Sequence, residues 1–334
     1  MPQAPVKFGY LLPTRERIMA GEHETRSVLT LAREAEAMGF DSLWIGDSVT
    51  AKPRHDALSM LAAVAAVTER VEIGTAVLLP MLRNPVLLAQ QAATVDRISE
   101  GRLILGLGTA RDVPAIRREF DAASVPFEKR IGRMLEGVRY MRALWQGGPL
   151  NWPPEGADTS DGDARNGDGR WQAEGIEIAP LPEITPARPS GPPIWGGGAA
   201  DGALKRAGRY FDGWFPSGPS DPEVYGQNWA RVQAYAADSG RDPAAITPAM
   251  YLTLAIDENP ARAETALNTY LEAYYNQAAA HLRAHQATFA GTPEAAAHWV
   301  REFVDAGARH LCLRPVGEAV AQMERVILNY SKEN

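Results

Sequence analysis

Eight short apolar or β-branched runs recur along the chain, and segments with helical patterning fill the intervals between them. The runs are 6–13, 42–47, 71–80, 102–108, 192–198, 212–218, 248–257 and 310–316. Several are apolar on both faces, as strands covered on both sides tend to be. The helical intervals are 25–38, 57–69, 85–98, 128–146, 201–210, 221–238, 260–285, 293–306 and 317–330. In 128–146, Met134, Leu135, Val138, Met141 and Trp145 recur at three- and four-residue spacing and make one apolar stripe. Such alternation argues for a parallel sheet, and eight strands predict closure into a (β/α)8 TIM barrel rather than an open doubly wound sheet.

One segment, 147–193, breaks the alternation and is rich in Gly, Pro and Asp. It is expected to be an insertion after the fourth βα unit, either a lid or a disordered excursion, with a mobile loop at 155–170 and a small hairpin strand at 170–180. No internal repeat or shift in composition marks a second domain, so residues 1–334 read as a single barrel domain. With 45% hydrophobic residues the chain can bury a large core. Its net charge of −7 and the lack of a basic block give nucleic acid no electrostatic footing. No apolar run approaches membrane-spanning length, and the N-terminus lacks the features of a secretory signal. The lone Cys312 cannot form an internal disulfide and reads as a buried, inert thiol. A soluble, cytoplasmic protein is the expectation.

In a closed barrel the active site lies where the strands end at their C-termini, so the residues following each run are the candidates. Asp47 and Ser48 follow the second strand; the carboxylate could orient a cofactor or act as a base, but either residue is also a good helix cap. Gly74, Thr75 and Ala76 are small residues inside the third strand, suited either to the approach of a flat ring or to ordinary packing. "GRLILGLGTARD" (101–112) starts like a dinucleotide fingerprint but has Arg111 where the third glycine belongs. "IWGGGAADGALKRAG" (194–208) runs from strand through glycines into a helix, an arrangement that commonly holds phosphate on free N–H groups. His281 and His285 share the face of a predicted helix but lack a third metal ligand, so no metal site is assigned. Tyr270, Tyr274 and Tyr275 could wall a pocket or form a buried stripe.

The stretches "GFDSLWIGDS", "ERVEIGTAVLLPMLRNPVLLAQQAATVDRISEGRLILGLG", "VPFEKRIGRMLEGVRYMRALW" and "PPIWGGGAADGALKRAGRYFDGWFPSG" together resemble the bacterial luciferase-like flavin and deazaflavin oxidoreductases. The resemblance implies a barrel with an insertion, and a reduced cofactor, F-420 or FMN, bound at the strand ends. It implies a non-proline cis peptide at Ala76–Val77 beneath the cofactor ring, with Leu79 beside it. Asp47 matches a position near the ring's pyrimidine side, and Thr109 and Ala110 match residues in contact with the cofactor. Gly197, Gly198, Ala199 and Ala200 match the loop that holds its phosphate. A homodimer is expected from the family.

The chain also departs from its relatives. Deazaflavin-dependent sugar-phosphate dehydrogenases end the second strand in Asp-His and the fourth in Gly-Glu, whereas here the pairs are Asp47-Ser48 and Ala110-Arg111. That acid and base, and with them a sugar phosphate, are not expected. Asp47, Ser48 and Arg111 remain the catalytic candidates. Lys52, Arg54, Arg83 and Arg111 could meet the acidic tail of F-420 or be solvated surface charge. The stretch 118–145 resembles the deazaflavin branch, which favours F-420-dependent hydride transfer on a small organic substrate. The alternative is an FMNH2-dependent monooxygenase fed by a separate flavin reductase; an F-420 reductase would be the equivalent partner. A cofactor-binding protein without turnover and a carboxylate hydrolase are the readings from other classes.

Overall fold

A computed structural model describes residues 5–146, 185–317 and 320–332. Among the described residues nine strands pair in parallel: β1 (Lys7–Leu11), β2 (Ser42–Ile45), β3 (Glu72–Thr75), β4 (Leu103–Leu107), β5 (Ile194–Gly196), β6 (Gly213–Trp214), β7 (Thr247–Ile256), β8 (Thr288–Gly291) and β9 (His310–Pro315). Strands β1 to β7 follow one another in space, β9 joins β7 to β1, and β6 pairs with β7, so eight strands close into a TIM barrel. The eight predicted runs are the eight barrel strands. The ninth, β8, was not foreseen; it lies outside the barrel and pairs only with the far half of β7, from Thr253 to Ile256.

Two further expectations are corrected. The helix predicted over 260–285 is two helices, Pro260–Tyr275 and Ala279–Arg283, parted where Asn276 turns left-handed at φ 52°. Helices Thr14–Met19 and Pro114–Ala122, which follow β1 and β4, are additions to the helical intervals that patterning predicts. Of the predicted insertion, 147–184 lies outside the described residues, including the expected loop and hairpin strand. No helix among the described residues is long and apolar enough to cross a membrane.

The period-two alternation of each strand divides the core in two. On β2, Leu43 and Ile45 face the surrounding helices, while Ser42 and Trp44 face into the barrel. Trp44 fills that interior together with Trp195 (ring centroids 5.3 Å apart) and Phe215 (4.8 Å). Its indole N–H donates to Ser42 Oγ at 2.8 Å, and the same oxygen lies 2.7 Å from His310 Nε2. A Cβ at Gly74 would fall 2.4 Å from the Trp44 ring, so the small residue inside β3 makes room for tryptophan. This is the packing explanation of Gly74, and it closes the bottom of the barrel beneath the site.

Candidate active site

A cavity of about 380 Å³ opens at the C-terminal ends of the strands. Its floor is made of small side chains and open main chain: Ala76 and Val77 after β3, Gly108 to Ala110 after β4, and Gly197 and Gly198 after β5. The Ala76–Val77 peptide is cis. Ala110 has a left-handed φ of 63°, a conformation uncommon for a residue with a Cβ and concentrated at ligand sites. Leu79 also lines the cavity, whereas Ala199 and Ala200 do not. The Gly197 N–H donates to the Leu107 carbonyl (3.0 Å), so a phosphate at this turn would meet amides further along. Trp214 Nε1 fixes the turn by donating to the Gly198 carbonyl at 2.9 Å.

Asp47, Ser48 and Arg111 all reach the cavity, in different circumstances. Both oxygens of Asp47 are gripped by Arg83, Oδ2 by Nη1 and Oδ1 by Nη2, each at 2.7 Å, and Oδ2 also accepts from the Leu79 N–H at 3.1 Å. Arg83 reaches Asp56 as well, at 3.2 Å. Ser48 Oγ donates to Glu119 Oε1 at 2.9 Å and accepts from the Lys52 N–H at 3.0 Å. Arg111 is exposed at the β4 exit, its guanidinium 6.0 Å from the Tyr275 ring.

Glu119, on Pro114–Ala122, was missed by sequence reasoning because that helix was not foreseen. Its Oε1 collects the Ser48 hydroxyl and the N–H groups of Val49, Thr50 and Ala51 at 2.5–3.1 Å. Its Oε2 is buried at the cavity wall and accepts no hydrogen bond among the described residues. The 48–54 loop that carries Lys52 and Arg54 is thus organised by one carboxylate.

The opposite side of the cavity is aromatic and cationic. Tyr274 and Tyr275, at the end of Pro260–Tyr275, line it together with Tyr251 from β7. Behind them Arg314, fully buried and inward-facing on β9, lies 5.0–5.5 Å from the rings of Tyr251, Tyr270, Tyr274 and Tyr275. Its Nη1 donates to Tyr275 Oη at 2.9 Å and its Nε to Thr253 Oγ1 at 3.1 Å. Burial pushes the phenols of Tyr251, Tyr270 and Tyr274 up. Burial acts on Tyr275 too, but the Arg314 charge and hydrogen bond, with Arg111 and Arg54 further off, bring its phenol below the usual range. Burial first, then the guanidiniums of Arg15, Arg54, Arg111 and Arg314, lower the Lys52 ammonium to about 7. The side chains of His281 and His285 lie with ring centroids 4.7 Å apart, but only His281 belongs to a helix.

Comparison with known proteins agrees with this geometry. Residues 6–327 match the family described as luciferase-like monooxygenase. An F420-dependent glucose-6-phosphate dehydrogenase from Rhodococcus erythropolis is 28% identical over 342 residues, covering 93% of this chain and 92% of that protein. A phthiodiolone/phenolphthiodiolone dimycocerosates ketoreductase from Mycobacterium sp. is 33% identical over 225 residues, 66% of this chain but only 54% of that longer relative. Among solved structures, an F420-dependent secondary alcohol dehydrogenase bound to an F420-acetone adduct superposes with a TM-score of 0.74 at 20% identity, covering 98% of this chain and 99% of the other.

Proposed function

We propose a function from one premise: the chain belongs to the luciferase-like monooxygenase family. It is an oxidoreductase that uses F-420 to move a hydride between the cofactor and a small carbonyl compound or the corresponding secondary alcohol. The relatives that support this reading are named for F420-dependent dehydrogenase chemistry and for ketone reduction. The residues present fit a flat ring, because the floor from Ala76 to Ala110 is small and the orphaned Glu119 Oε2 gives the wall an unused acceptor. Amides after Gly197 at the start of Asp201–Tyr210 would hold a phosphate.

When bound, the reduced cofactor supplies a hydride. Reduction of a carbonyl then needs one proton at oxygen, and Tyr275 Oη is the group placed to give it. Arg314 Nη1 donates to that oxygen, which leaves the phenolic hydrogen free to point into the cavity and stabilises the phenolate that remains. Water returns the proton afterwards. Asp47 and Ser48, each committed to partners, hold Leu79 and the 48–52 loop in position, and Arg111 adds positive charge beside Tyr275.

The Tyr275–Arg314 pair facing a small-residue floor is the observation that carries this reading. Titration of F-420 and FMN side by side, followed by quenching of cofactor fluorescence and by the rise in Tm, tests it. F-420 binding, followed by loss of its absorbance with a ketone or secondary alcohol, is expected. Binding of neither cofactor overturns the reading, and FMN binding with oxygen consumption replaces it with monooxygenation.

A further inference from the structure

The cations at the Tyr275 end of the cavity outnumber the anions available to neutralise them. Lys52, Arg54 and Arg111 line it, and the guanidiniums of Arg15 and Arg314 stack against the tyrosines at 4.1–5.5 Å. Among the described residues Asp47 is neutralised by Arg83, which leaves Glu16, accepting from the Tyr270 hydroxyl at 2.5 Å, and Glu119, accepting from the 48–51 loop, as the carboxylates beside these five cations. Arg15 is only 7% exposed, yet its Nε and Nη1 have no hydrogen-bond partner among the described residues. Burial, and after it the charges of Arg15, Arg54, Arg111 and Arg314, depress the Lys52 ammonium.

Topology separates Arg15, Lys52, Arg54 and Arg314 from the glycine turn, although Arg111 follows β4, the neighbour of β5. In the closed order β1-β2-β3-β4-β5-β6-β7-β9, β5 stands four places from β1, on the opposite wall. Gly197 and Gly198 follow β5, whereas Arg15, Lys52 and Arg54 follow β1 and β2, and Arg314 ends β9. A cofactor phosphate seated at the glycines leaves the cations to a second anion. Arg111, coming from β4, completes the ring by reaching towards Tyr275.

We propose that Lys52, Arg54 and Arg111 form an oxyanion subsite, and that the substrate therefore carries a carboxylate or phosphate group beside its reacting carbonyl. The inference rests on the proposed redox function for that carbonyl, while the anion site can be tested without it. Line broadening of inorganic phosphate and of acetate, in phosphorus and carbon NMR, measures binding to the protein with and without saturating F-420. One saturable site is expected, with the tighter probe telling phosphate from carboxylate. Arg111→Gln and Lys52→Gln should each weaken it at least tenfold while F-420 affinity changes less than twofold. Arg111 makes no side-chain hydrogen bond among the described residues, so its replacement leaves the fold intact.

Absence of probe binding, or binding unchanged in both variants, overturns the subsite. Displacement of the probe by F-420 overturns the assignment to substrate and gives the cluster to the cofactor's acidic tail. Probe binding that persists in a protein unable to bind F-420 sinks the F-420 reading and leaves the anion site standing.

Discussion

Glu119 accepts a 2.9 Å hydrogen bond from the hydroxyl of Ser48, 71 residues away in sequence, and gathers three successive N–H groups onto the same oxygen. One buried carboxylate therefore ties the β4 exit to the β2 exit. Glu119→Ala strands four donors at once and is expected to destabilise the fold by about 2–3 kcal/mol, because part of the loop regains water. Glu119→Gln keeps a carbonyl acceptor and should lose less than half of that. Urea unfolding of the three proteins decides it; equal stability of Ala and wild type would mean the bonds contribute nothing.

Arg83 and Asp47 make the equivalent tie between β3 and β2. The Asp47 side chain is 1% exposed and that of Arg83 15%, so removing the guanidinium leaves a buried charge without its partner. Arg83→Met is expected to cost about 3–5 kcal/mol, whereas the double variant Arg83→Met with Asp47→Leu should recover at least half of the loss. Chemical denaturation checks the cycle. Simple additivity of the two single losses would show that the pair is not coupled.

Tyr275 differs from Tyr251, Tyr270 and Tyr274 in that the charge and hydrogen bond of Arg314, with Arg111 and Arg54 further off, outweigh burial and lower its phenol. Tyr275→Phe should lower kcat for carbonyl reduction by about 10²–10⁴ while leaving the Kd of F-420 within twofold. The lowered phenol also sets a pH limb: reduction requires the protonated form, so kcat falls as pH rises through a value below the ordinary tyrosine range. The variant should lack that limb. A parallel loss of cofactor affinity would instead show a structural role.

The barrel was legible because closure depends on counting elements, and every barrel strand is a run of apolar residues. Strand β8 was not, since "TFAG" is short, half-exposed and paired on one side only. Arg314 is a charge inside the apolar run 310–316; its meaning depends on Tyr251, Tyr270 and Tyr275, which come from two other elements. Arg15 and Glu119 sit on helices of six and nine residues, too short for periodicity to reveal a face. Gly74 is open in sequence between the approach of a flat ring and ordinary packing, and the structure gives the packing, against the protein's own Trp44.

Cys312 is fully buried among Leu11, Trp44 and Ala249, and burial pushes its thiol up. A neutral thiol without access to solvent reacts slowly. A disulfide reagent such as Ellman's should label less than a tenth of the native protein in the time that labels the urea-unfolded chain completely. Rapid native labelling would show that the barrel interior opens.

His310 links the barrel interior to pH. It is 2% exposed, packed edge-on against Trp44 and Trp195, and held by Ser42 Oγ. Burial, with a smaller push from Lys7, lowers its imidazole to about 3 against an ordinary 6.5. Between those values the unfolded chain binds a proton that the folded one refuses, so stability falls as pH drops through the window and is unaffected by this group above it. The slope is about 1.4 kcal/mol per pH unit, on the order of 4–5 kcal/mol across the window. Carboxylates add their own slope, which a variant shares. Wild type and His310→Gln should therefore differ in the slope of unfolding free energy by close to one proton between pH 6 and pH 4, whatever the variant's absolute stability. Identical slopes would mean that His310 protonates within the folded protein, and the Ser42 to Trp44 contacts would have to tolerate a cation.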